Sequence, residues 1–197
     1  MTHHATPGLT AAEALEKLRA GNALFVSGER DCGDVSHEAR RHTVDHGQEP
    51  YAIVITCSDS RVVPNAAFSA GIGDLFVIRV AGNVIDDHQL GSIEYACEHL
   101  GTKLVVVLGH DHCGAVDAAL RDDPNEDPEG FIRYIVEDIK QAIGSETDPY
   151  KASVMNVKRS VALINHALLR EAGIPNDVQV VGAMYHLETG EVVFQRS

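Results

Sequence analysis

The chain has 197 residues, of which 44% are hydrophobic and 23% charged, proportions typical of a soluble globular domain with an ample core. Its formal net charge of −13 argues against nucleic-acid binding, because a polyanion needs a basic surface to displace its counterions. No apolar run approaches the roughly 20 residues that a membrane-spanning helix requires, so no membrane partner is expected.

The N-terminal part of the chain is predicted to be a helical arm that precedes the first strand. Residues 1–9 have neither the charged nor the apolar region of a signal peptide and are expected to form a disordered lead. Residues 10–48 are expected to form the arm, with one helix over 10–26 and a second over 36–46. The first helix begins with a threonine and a glutamate at capping-box spacing.

Apolar runs rich in β-branched residues predict the strands, and amphipathic segments between them predict helices. The predicted strands are 52–56, 75–80, 104–108, 178–184 and 191–195. The predicted helices after the arm are 90–100, one that begins near 113, 131–143 and 154–171. An acidic loop that contains prolines is expected over 122–129.

This order of elements predicts an α/β fold. Strands that alternate with helices favour a mainly parallel central sheet, here of about four strands, with helices flanking it. The turn over residues 188–190 makes the last strand an antiparallel edge strand at the C-terminus. Because no second core or internal repeat is evident, residues 1–197 are expected to form a single domain.

Metal-ligating residues follow two of the predicted strands. The segment Cys57–Arg61 comes after the first strand, and His110 and Cys113 come after the third. Because the carboxyl ends of strands in an open α/β sheet form its ligand-binding edge, these side chains should meet there. Two cysteines and one histidine suit Zn²⁺ and leave its fourth tetrahedral position open, as in a catalytic site. The sequence therefore predicts one zinc ion per chain.

The other interpretation of these cysteines is that they are small buried hydrophobic residues. Their placement beside a histidine, a carboxylate and a guanidinium favours the metal site. Redox chemistry is disfavoured because the chain has no Cys-x-x-Cys pair, and Cys32 and Cys97 are expected to be bystanders. The cysteines are too widely spread for a small secreted disulfide scaffold, so a reducing, cytoplasmic setting is expected.

Asp59 and Arg61 lie in the same turn as Cys57. As a surface ion pair they would contribute only ~0–1 kcal/mol. Beside a metal ion they suit a functional role: the Asp59 carboxylate would accept a hydrogen bond from metal-bound water and orient it. Arg61 would hold that carboxylate away from the metal by bidentate pairing.

Taken together, these residues resemble the β-class carbonic anhydrases. The resemblance rests first on Cys57–Arg61 followed by Gly109–Ala115. It extends over nearly the whole chain through further similar segments, namely 14–22, 73–79, 81–83, 91–96, 181–185 and 189–190. Many matching segments in the same order make the resemblance highly specific.

The resemblance implies a set of site residues. The implied zinc ligands are Cys57, His110 and Cys113. The implied catalytic residues are Asp59 and Arg61. The implied walls of the substrate pocket, contributed partly across a dimer interface, are Gln48, Phe76, Tyr95 and Gly114. The family also implies a homodimer or a dimer of dimers.

The implied reaction is the reversible hydration of CO₂ to bicarbonate and a proton. Zinc lowers the pKa of its bound water to about 7 in a carbonic anhydrase that has three histidine ligands, and the resulting hydroxide attacks CO₂. Two thiolates donate more charge than two imidazoles, so the bound water should be less acidic here. The sequence names no clear proton shuttle: His88 and His112 are expected to be surface groups or neighbours of the ligands.

Two departures from the family pattern stand near the motifs. Asn65 occupies a position where relatives often have a glutamate, which could alter the support behind Arg61. The segment Arg79–Ala81 replaces the Arg-Asn of many relatives and leaves the arginine and the turn intact. A subgroup of the family is inhibited by bicarbonate bound to a tryptophan, an arginine and a tyrosine. The motifs align these with Val54, Arg79 and Tyr185, and the chain has no tryptophan.

Two other functions fit parts of the same pattern. Hydrolysis of carbonyl sulfide or carbon disulfide uses the same nucleophile, but relatives with that activity tend to have a different motif around the first cysteine. A zinc-stabilised binding module would need a fourth protein ligand and would have no hydration activity. Asp59 is the candidate for that ligand, and Arg61 argues against permanent coordination by it.

Overall fold

The computed structural model describes residues 8–121, 130–168 and 176–195. Most of the predicted disordered lead, the acidic loop predicted over 122–129 and the last residues of the helix predicted to 171 lie outside these ranges. Within them, no helix combines the length and apolarity needed to cross a membrane.

In the described residues, strands and helices alternate after two N-terminal helices as far as the third strand, and three successive helices then precede the last two strands. The helices are α1 (Ala11–Val26), α2 (His37–His46), α3 (Pro64–Ala67), α4 (Asp87–His99), α5 (Gly114–Leu120), α6 (Ile132–Ile143) and α7 (Pro149–Leu168). The strands are β1 (Ala52–Thr56), β2 (Leu75–Arg79), β3 (Leu104–His110), β4 (Gln179–Tyr185) and β5 (Val192–Phe194). A 3₁₀ turn, Ala81–Asn83, follows β2.

The strands form one sheet in the order β2-β1-β3-β4-β5. The first four strands are parallel to their neighbours, and β5 pairs antiparallel with β4. The predicted α/β fold with a C-terminal antiparallel edge strand is therefore confirmed. Strands β1 and β3 are central and wholly buried, which explains why their sequences are continuously apolar rather than alternating.

Several element boundaries differ from the predictions for local reasons. Helix α4 begins at Asp87 rather than at residue 90, because Asp86 and Gln89 form a capping box that was not anticipated. Helix α7 begins at Pro149 rather than at residue 154, and the Asp148 carboxylate accepts the Lys151 N–H in its first turn. Strand β3 continues to His110, and the short helix α3 was not predicted.

The sheet is covered on both faces because successive side chains of a strand point to opposite sides. Val54 of β1 packs in a cluster with Leu18 of α1. Ile55 packs in the opposite cluster with Val157 of α7. A third cluster at the carboxyl ends of the strands includes Cys57, Cys113, Val116, Val136 and Ile139. The two cysteines of the predicted metal site therefore lie in an apolar environment.

The two helices of the arm differ in how they contact the chain. Helix α1 is tied to the sheet by the buried Asn22, whose amide donates to the carbonyls of Ala67 (2.9 Å) and Gly190 (2.8 Å). The Asn22 side-chain oxygen also accepts the Val192 N–H at 2.9 Å. Helix α2 has no buried residue. Of the two helices, only α1 is therefore part of the core.

Candidate metal centre

The three predicted ligands meet at the carboxyl ends of β1 and β3, which are adjacent strands. Cys57 directly follows β1, His110 is the last residue of β3, and Cys113 is the N-cap of α5. All three side chains are buried, and their ligand atoms lie within 4.8 Å of one another. The parallel pairing of two strands thus brings together residues that are distant in sequence.

The geometry of this cluster fits zinc. The Sγ atoms of Cys57 and Cys113 are 4.0 Å apart. Tetrahedral zinc with Zn–S bonds of about 2.3 Å would place its sulfur ligands roughly 3.8 Å apart. The Nε2 atom of His110 is buried without a hydrogen-bond partner among the described residues. Its Nδ1 lies 2.7 Å from the Asp111 carbonyl, so Nδ1 holds the proton and the Nε2 lone pair remains available to a metal.

The two thiols influence each other strongly because they are buried and adjacent. The hydrogen bond from Cys113 is the main cause that lowers the pKa of Cys57 to about 4, with burial opposing it and the backbone N–H groups of Gly82 and Asp59 assisting. The same contact raises the pKa of Cys113, since the pair retains one shared proton, and burial adds to this effect. A dication between the sulfurs would displace that proton, because a coordinated thiol is deprotonated.

The thiolate of Cys57 also accepts backbone hydrogen bonds. The Gly82 N–H lies 3.2 Å from Cys57 Sγ, and the Asp59 N–H lies 3.4 Å from it. Gly82 belongs to the 3₁₀ turn after β2, so three strand ends contribute to the environment of the cluster. Donors aimed at a buried sulfur stabilise its negative charge.

Asp59 and Arg61 form a bidentate ion pair beside the cluster. Arg61 Nε lies 2.9 Å from Asp59 Oδ1, and Arg61 Nη2 lies 2.7 Å from Oδ2. The Arg61 backbone N–H donates to Oδ1 as well, at 3.0 Å. These hydrogen bonds outweigh burial and lower the pKa of Asp59, which is therefore ionised. Asp59 Oδ2 is 3.9 Å from His110 Nε2, so the carboxylate borders the ligand cluster.

Backbone contacts hold both members of this pair in position. Arg61 Nη2 also donates to the His112 carbonyl at 3.0 Å, and His112 adopts a left-handed conformation with φ of 50°. Arg79, at the end of β2, donates to the carbonyls of Cys57 (3.0 Å) and Asp59 (2.7 Å). The turn that holds Asp59 is thus fixed from two sides.

The predicted pocket residues occupy different environments. Phe76 of β2 and Tyr95 of α4 pack together with ring centroids 6.2 Å apart, and Tyr95 is 46% exposed. Gln48 is exposed in the loop before β1. Gly114 begins α5, where an added side chain would meet open space. Within this chain Gln48, Tyr95 and Gly114 are exposed and Phe76 is half-buried, which is consistent with a pocket that needs a second subunit.

Three other residues named in the sequence analysis do not belong to the ligand cluster. Cys97 is buried in α4, and burial raises the pKa of its thiol to about 11, so it is inert. His88 is exposed next to Asp86. Asn65, the departure from the family pattern, donates its amide to the Gly71 carbonyl at 3.0 Å.

Sequence reasoning missed the residues that fix the ligands indirectly. Gly82 was expected only to turn the chain, and Asn156 only to belong to an amphipathic helix. Asn156 is nevertheless buried, and its amide donates to the Gly82 carbonyl at 2.6 Å. A polar residue on the apolar face of α7 is the signal that could have identified it.

Comparison with known proteins gives a consistent result. A sequence model of the family described as carbonic anhydrase matches residues 52–192. The chain is 39% identical over 194 residues to a carbonic anhydrase of Mycolicibacterium smegmatis, covering 94% of both chains. Its fold is similar to the β-carbonic anhydrase CcaA, with a TM-score of 0.66, 27% identity and coverage of 94% and 93%. It is also similar to the β-carbonic anhydrase CafA of Aspergillus fumigatus, with a TM-score of 0.67, 26% identity and coverage of 93% and 89%.

Proposed function

The chain belongs to the β-class carbonic anhydrases and catalyses the reversible hydration of carbon dioxide, and we propose that one Zn²⁺ held by Cys57, His110 and Cys113 enables this reaction. The observation that supports this site most directly is the buried, unpaired Nε2 atom of His110 beside two thiols. A buried imidazole nitrogen without a partner is costly unless a ligand occupies that position. When bound, the zinc supplies Lewis acidity that makes water a nucleophile near neutral pH.

Asp59 acts on the reacting water rather than on the metal. Its carboxylate is ionised, and an ionised carboxylate can only accept hydrogen bonds. It would therefore accept a hydrogen bond from the metal-bound water and so direct the lone pair of the water oxygen toward CO₂. Arg61 orients Asp59 with two side-chain hydrogen bonds and keeps it from becoming a metal ligand. This arrangement disfavours the alternative of a closed, purely structural zinc site.

CO₂ has no charge and little polarity, so its pocket needs apolar walls more than hydrogen-bond donors. Phe76 and Tyr95 would provide such walls, with Gln48 and Gly114 at the edges. Because Tyr95 and Gln48 are exposed in a single chain, we assign the complete pocket to a homodimer or a dimer of dimers. This assembly also explains why α2 buries none of its own residues.

The setting follows from the same chemistry. The four cysteines are free thiols in the structure, and two of them would serve as metal-binding thiolates, which requires reducing conditions. We therefore assign the enzyme to the cytoplasm. The five strands form one sheet with the site at its edge, which supports treating residues 1–197 as one domain.

Stopped-flow measurement of CO₂ hydration on protein of known zinc content tests this proposal. Activity should scale with bound zinc, disappear after chelation and return when zinc is added. Carbonyl sulfide and carbon disulfide should be tested on the same samples, and faster turnover of either gas would reassign the substrate. Hydration that persists in metal-free protein would refute the zinc site.

A further inference from the structure

The 3₁₀ turn Ala81–Asn83 connects helix α7 to the ligand cluster. On one side of Gly82, its N–H donates to Cys57 Sγ at 3.2 Å. On the other side, its carbonyl accepts a hydrogen bond from Asn156 Nδ2 at 2.6 Å. One turn further along α7, Ser160 Oγ donates to the Asn83 carbonyl at 3.1 Å. Asn156 and Ser160 are both buried, so their side chains are committed to this turn.

The conformation of Gly82 depends on these contacts. Its φ of 68° lies in the left-handed region of backbone conformation, which residues other than glycine rarely adopt. A Cβ atom at this position would approach Ile139 Cδ1 to 2.7 Å and Ala115 Cβ to 3.1 Å. The turn is therefore packed from α5 and α6 and hydrogen-bonded from α7. This over-determined geometry directs the Gly82 N–H at the sulfur.

From these contacts we infer that Asn156 is a positioning residue, which holds the Gly82 N–H on the Cys57 sulfur and so limits how much charge this thiolate donates to a bound metal. The inference rests on the proposed zinc site. A hydrogen bond to a thiolate withdraws electron density from sulfur, and such outer contacts tune a metal centre as its direct ligands do. Because two thiolate ligands would donate much charge, this withdrawal of electron density from the Cys57 sulfur would keep a bound ion more electrophilic.

Cobalt substitution provides a readout that is independent of activity. In the Co²⁺-loaded wild-type protein, near-ultraviolet sulfur-to-cobalt charge-transfer bands should appear, and their absence would refute the metal site itself. In Asn156→Ala and in the volume-retaining Asn156→Leu, the bands should move to lower energy because the sulfur becomes a stronger donor. Zinc affinity, measured by chelator competition, should nevertheless fall on the order of 10-fold or more, because the turn no longer holds the Cys57 ligand in its orientation.

Ser153→Ala is the matched control. Ser153 is also a buried polar residue of α7, but its hydroxyl donates to the Pro149 carbonyl within the helix and not to the turn. This variant should lose stability comparably while its charge-transfer bands stay at the wild-type energy. Ser160→Ala, which frees the next carbonyl of the turn, should shift the bands in the same direction by a smaller amount.

A wild-type measurement keeps the inference falsifiable if the Asn156 variants do not fold. In protein loaded with an NMR-active cadmium isotope, the Gly82 amide proton should show a coupling to the metal through the N–H···S hydrogen bond. Absence of this coupling would overturn the inference, as would unshifted bands in folded Asn156 variants. Equal band shifts in the Ser153 and Asn156 variants would overturn it as well, because the stability of α7 alone would then determine the donor strength of the Cys57 sulfur.

Discussion

At the scale of single residues, the proposed zinc site consists of one nitrogen atom and two sulfur atoms within 4.8 Å of one another. Each of the three is buried, so none is solvated when the metal is absent. The protein therefore pays for this cluster in stability unless an ion occupies it.

Replacing Cys57 or Cys113 with serine should release the zinc and reduce hydration to the uncatalysed rate. A hydroxyl is not ionised near neutral pH and is a far weaker zinc ligand than a thiolate. Zinc content by atomic absorption, measured on folded protein after dialysis, checks this. Cys97→Ser is the control, since that buried thiol lies in α4 and should leave zinc content unchanged. Stoichiometric zinc in both ligand variants would contradict the assignment.

Replacing Asp59 or Arg61 with alanine should reduce the hydration rate on the order of 100-fold, because the reacting water loses its orientation. Zinc content should remain near one per chain. Asp177→Ala, which removes the surface ion pair with Lys103, is the control and should have wild-type activity. Near-normal rates in either the Asp59 or the Arg61 variant would show that these two residues form only a surface ion pair without a role in catalysis.

The pH dependence of this pair has a defined sign. The hydrogen bonds from Arg61 lower the pKa of Asp59 below its ordinary value of 3.8. The stability that the ionised Asp59 carboxylate contributes is therefore fully present above pH 3.8 and is lost only as the pH falls through the lower pKa of the folded protein. Because Asp59 stays ionised where the enzyme is active, its titration should not shape the pH–rate profile. We expect the acid limb of that profile to be the same in Asp59→Asn and wild type. A shift of that limb in Asp59→Asn would contradict this.

The sequence predicted that the cysteines and the histidine would meet and that Asp59 and Arg61 would pair beside them, but not the contacts that hold these residues in place. Cys57, His110 and Asp59 could be predicted because they follow strands whose apolar runs are unmistakable. Asn156 could not, because its partner Gly82 is 74 positions away in sequence and the contact exists only after α7 packs on the sheet. Hydrogen bonds between distant elements leave no local pattern.

At the scale of elements, the difference between local sequence patterns and contacts formed only in the folded chain explains the errors in the predicted boundaries. Helix α1 was predicted correctly because its capping box and apolar stripe are local features. Helix α3 is one turn long, begins at Pro64 and has no periodicity that a sequence window can detect. The close approach of α1 to α3 is visible only in three dimensions: a Cβ on Gly21 would lie 2.0 Å from the Phe68 carbonyl oxygen.

Gly21→Ala tests this docking of α1. The added methyl group collides with backbone, which cannot move as a flexible side chain can, so we expect destabilisation of about 1–3 kcal/mol or more. Gly91→Ala is the matched control: it also lies inside a helix, but its added Cβ meets nothing within 4 Å. That control should be neutral or slightly stabilising, since alanine favours helices. Equal stabilities of the two variants in urea unfolding would show that α1 does not pack here.

At the scale of the whole molecule, the arm predicts how two copies associate. The long N-terminal amphipathic helix precedes the first strand and has no place between two strands, which suggested that it embraces a partner. In the structure, however, α1 packs on its own sheet, whereas α2 buries none of its residues. Val44 on α2 is 82% exposed, an unusual position for an apolar residue of an isolated helix. We therefore expect α2 to contact the second subunit.

Sedimentation of the wild-type protein should give a dimer or a tetramer across the concentrations used for activity. Val44→Glu should weaken this association and lower activity in parallel, because the pocket walls Tyr95 and Gln48 need the partner. A fully active monomer at dilute concentration would overturn the prediction. Glu49→Ala, a nearby exposed change outside α2, serves as the control and should leave the assembly intact.

The last prediction concerns inhibition by bicarbonate. The bicarbonate site of one subgroup of the family needs an indole donor where this chain has Val54, which is wholly buried in the cluster that contains Tyr185. Arg79 already donates to the carbonyls of Cys57 and Asp59, so an anion would have to compete with those bonds. The missing hydrogen bond to a charged group costs ~1.5–3 kcal/mol, equivalent to about ten-fold or more in affinity.

Near neutral pH, Asp59 should therefore remain paired to Arg61 rather than coordinate zinc, which leaves the fourth zinc position open. Activity should rise with pH as a single ionisation, and bicarbonate should inhibit without cooperativity, because no second anion shifts the turn that holds Asp59. Initial rates across a bicarbonate series at several pH values measure both properties. A sigmoidal inhibition curve, or a zinc-loaded crystal near neutral pH with Asp59 as the fourth ligand, would show that the loss of the tryptophan at Val54 does not keep the site open.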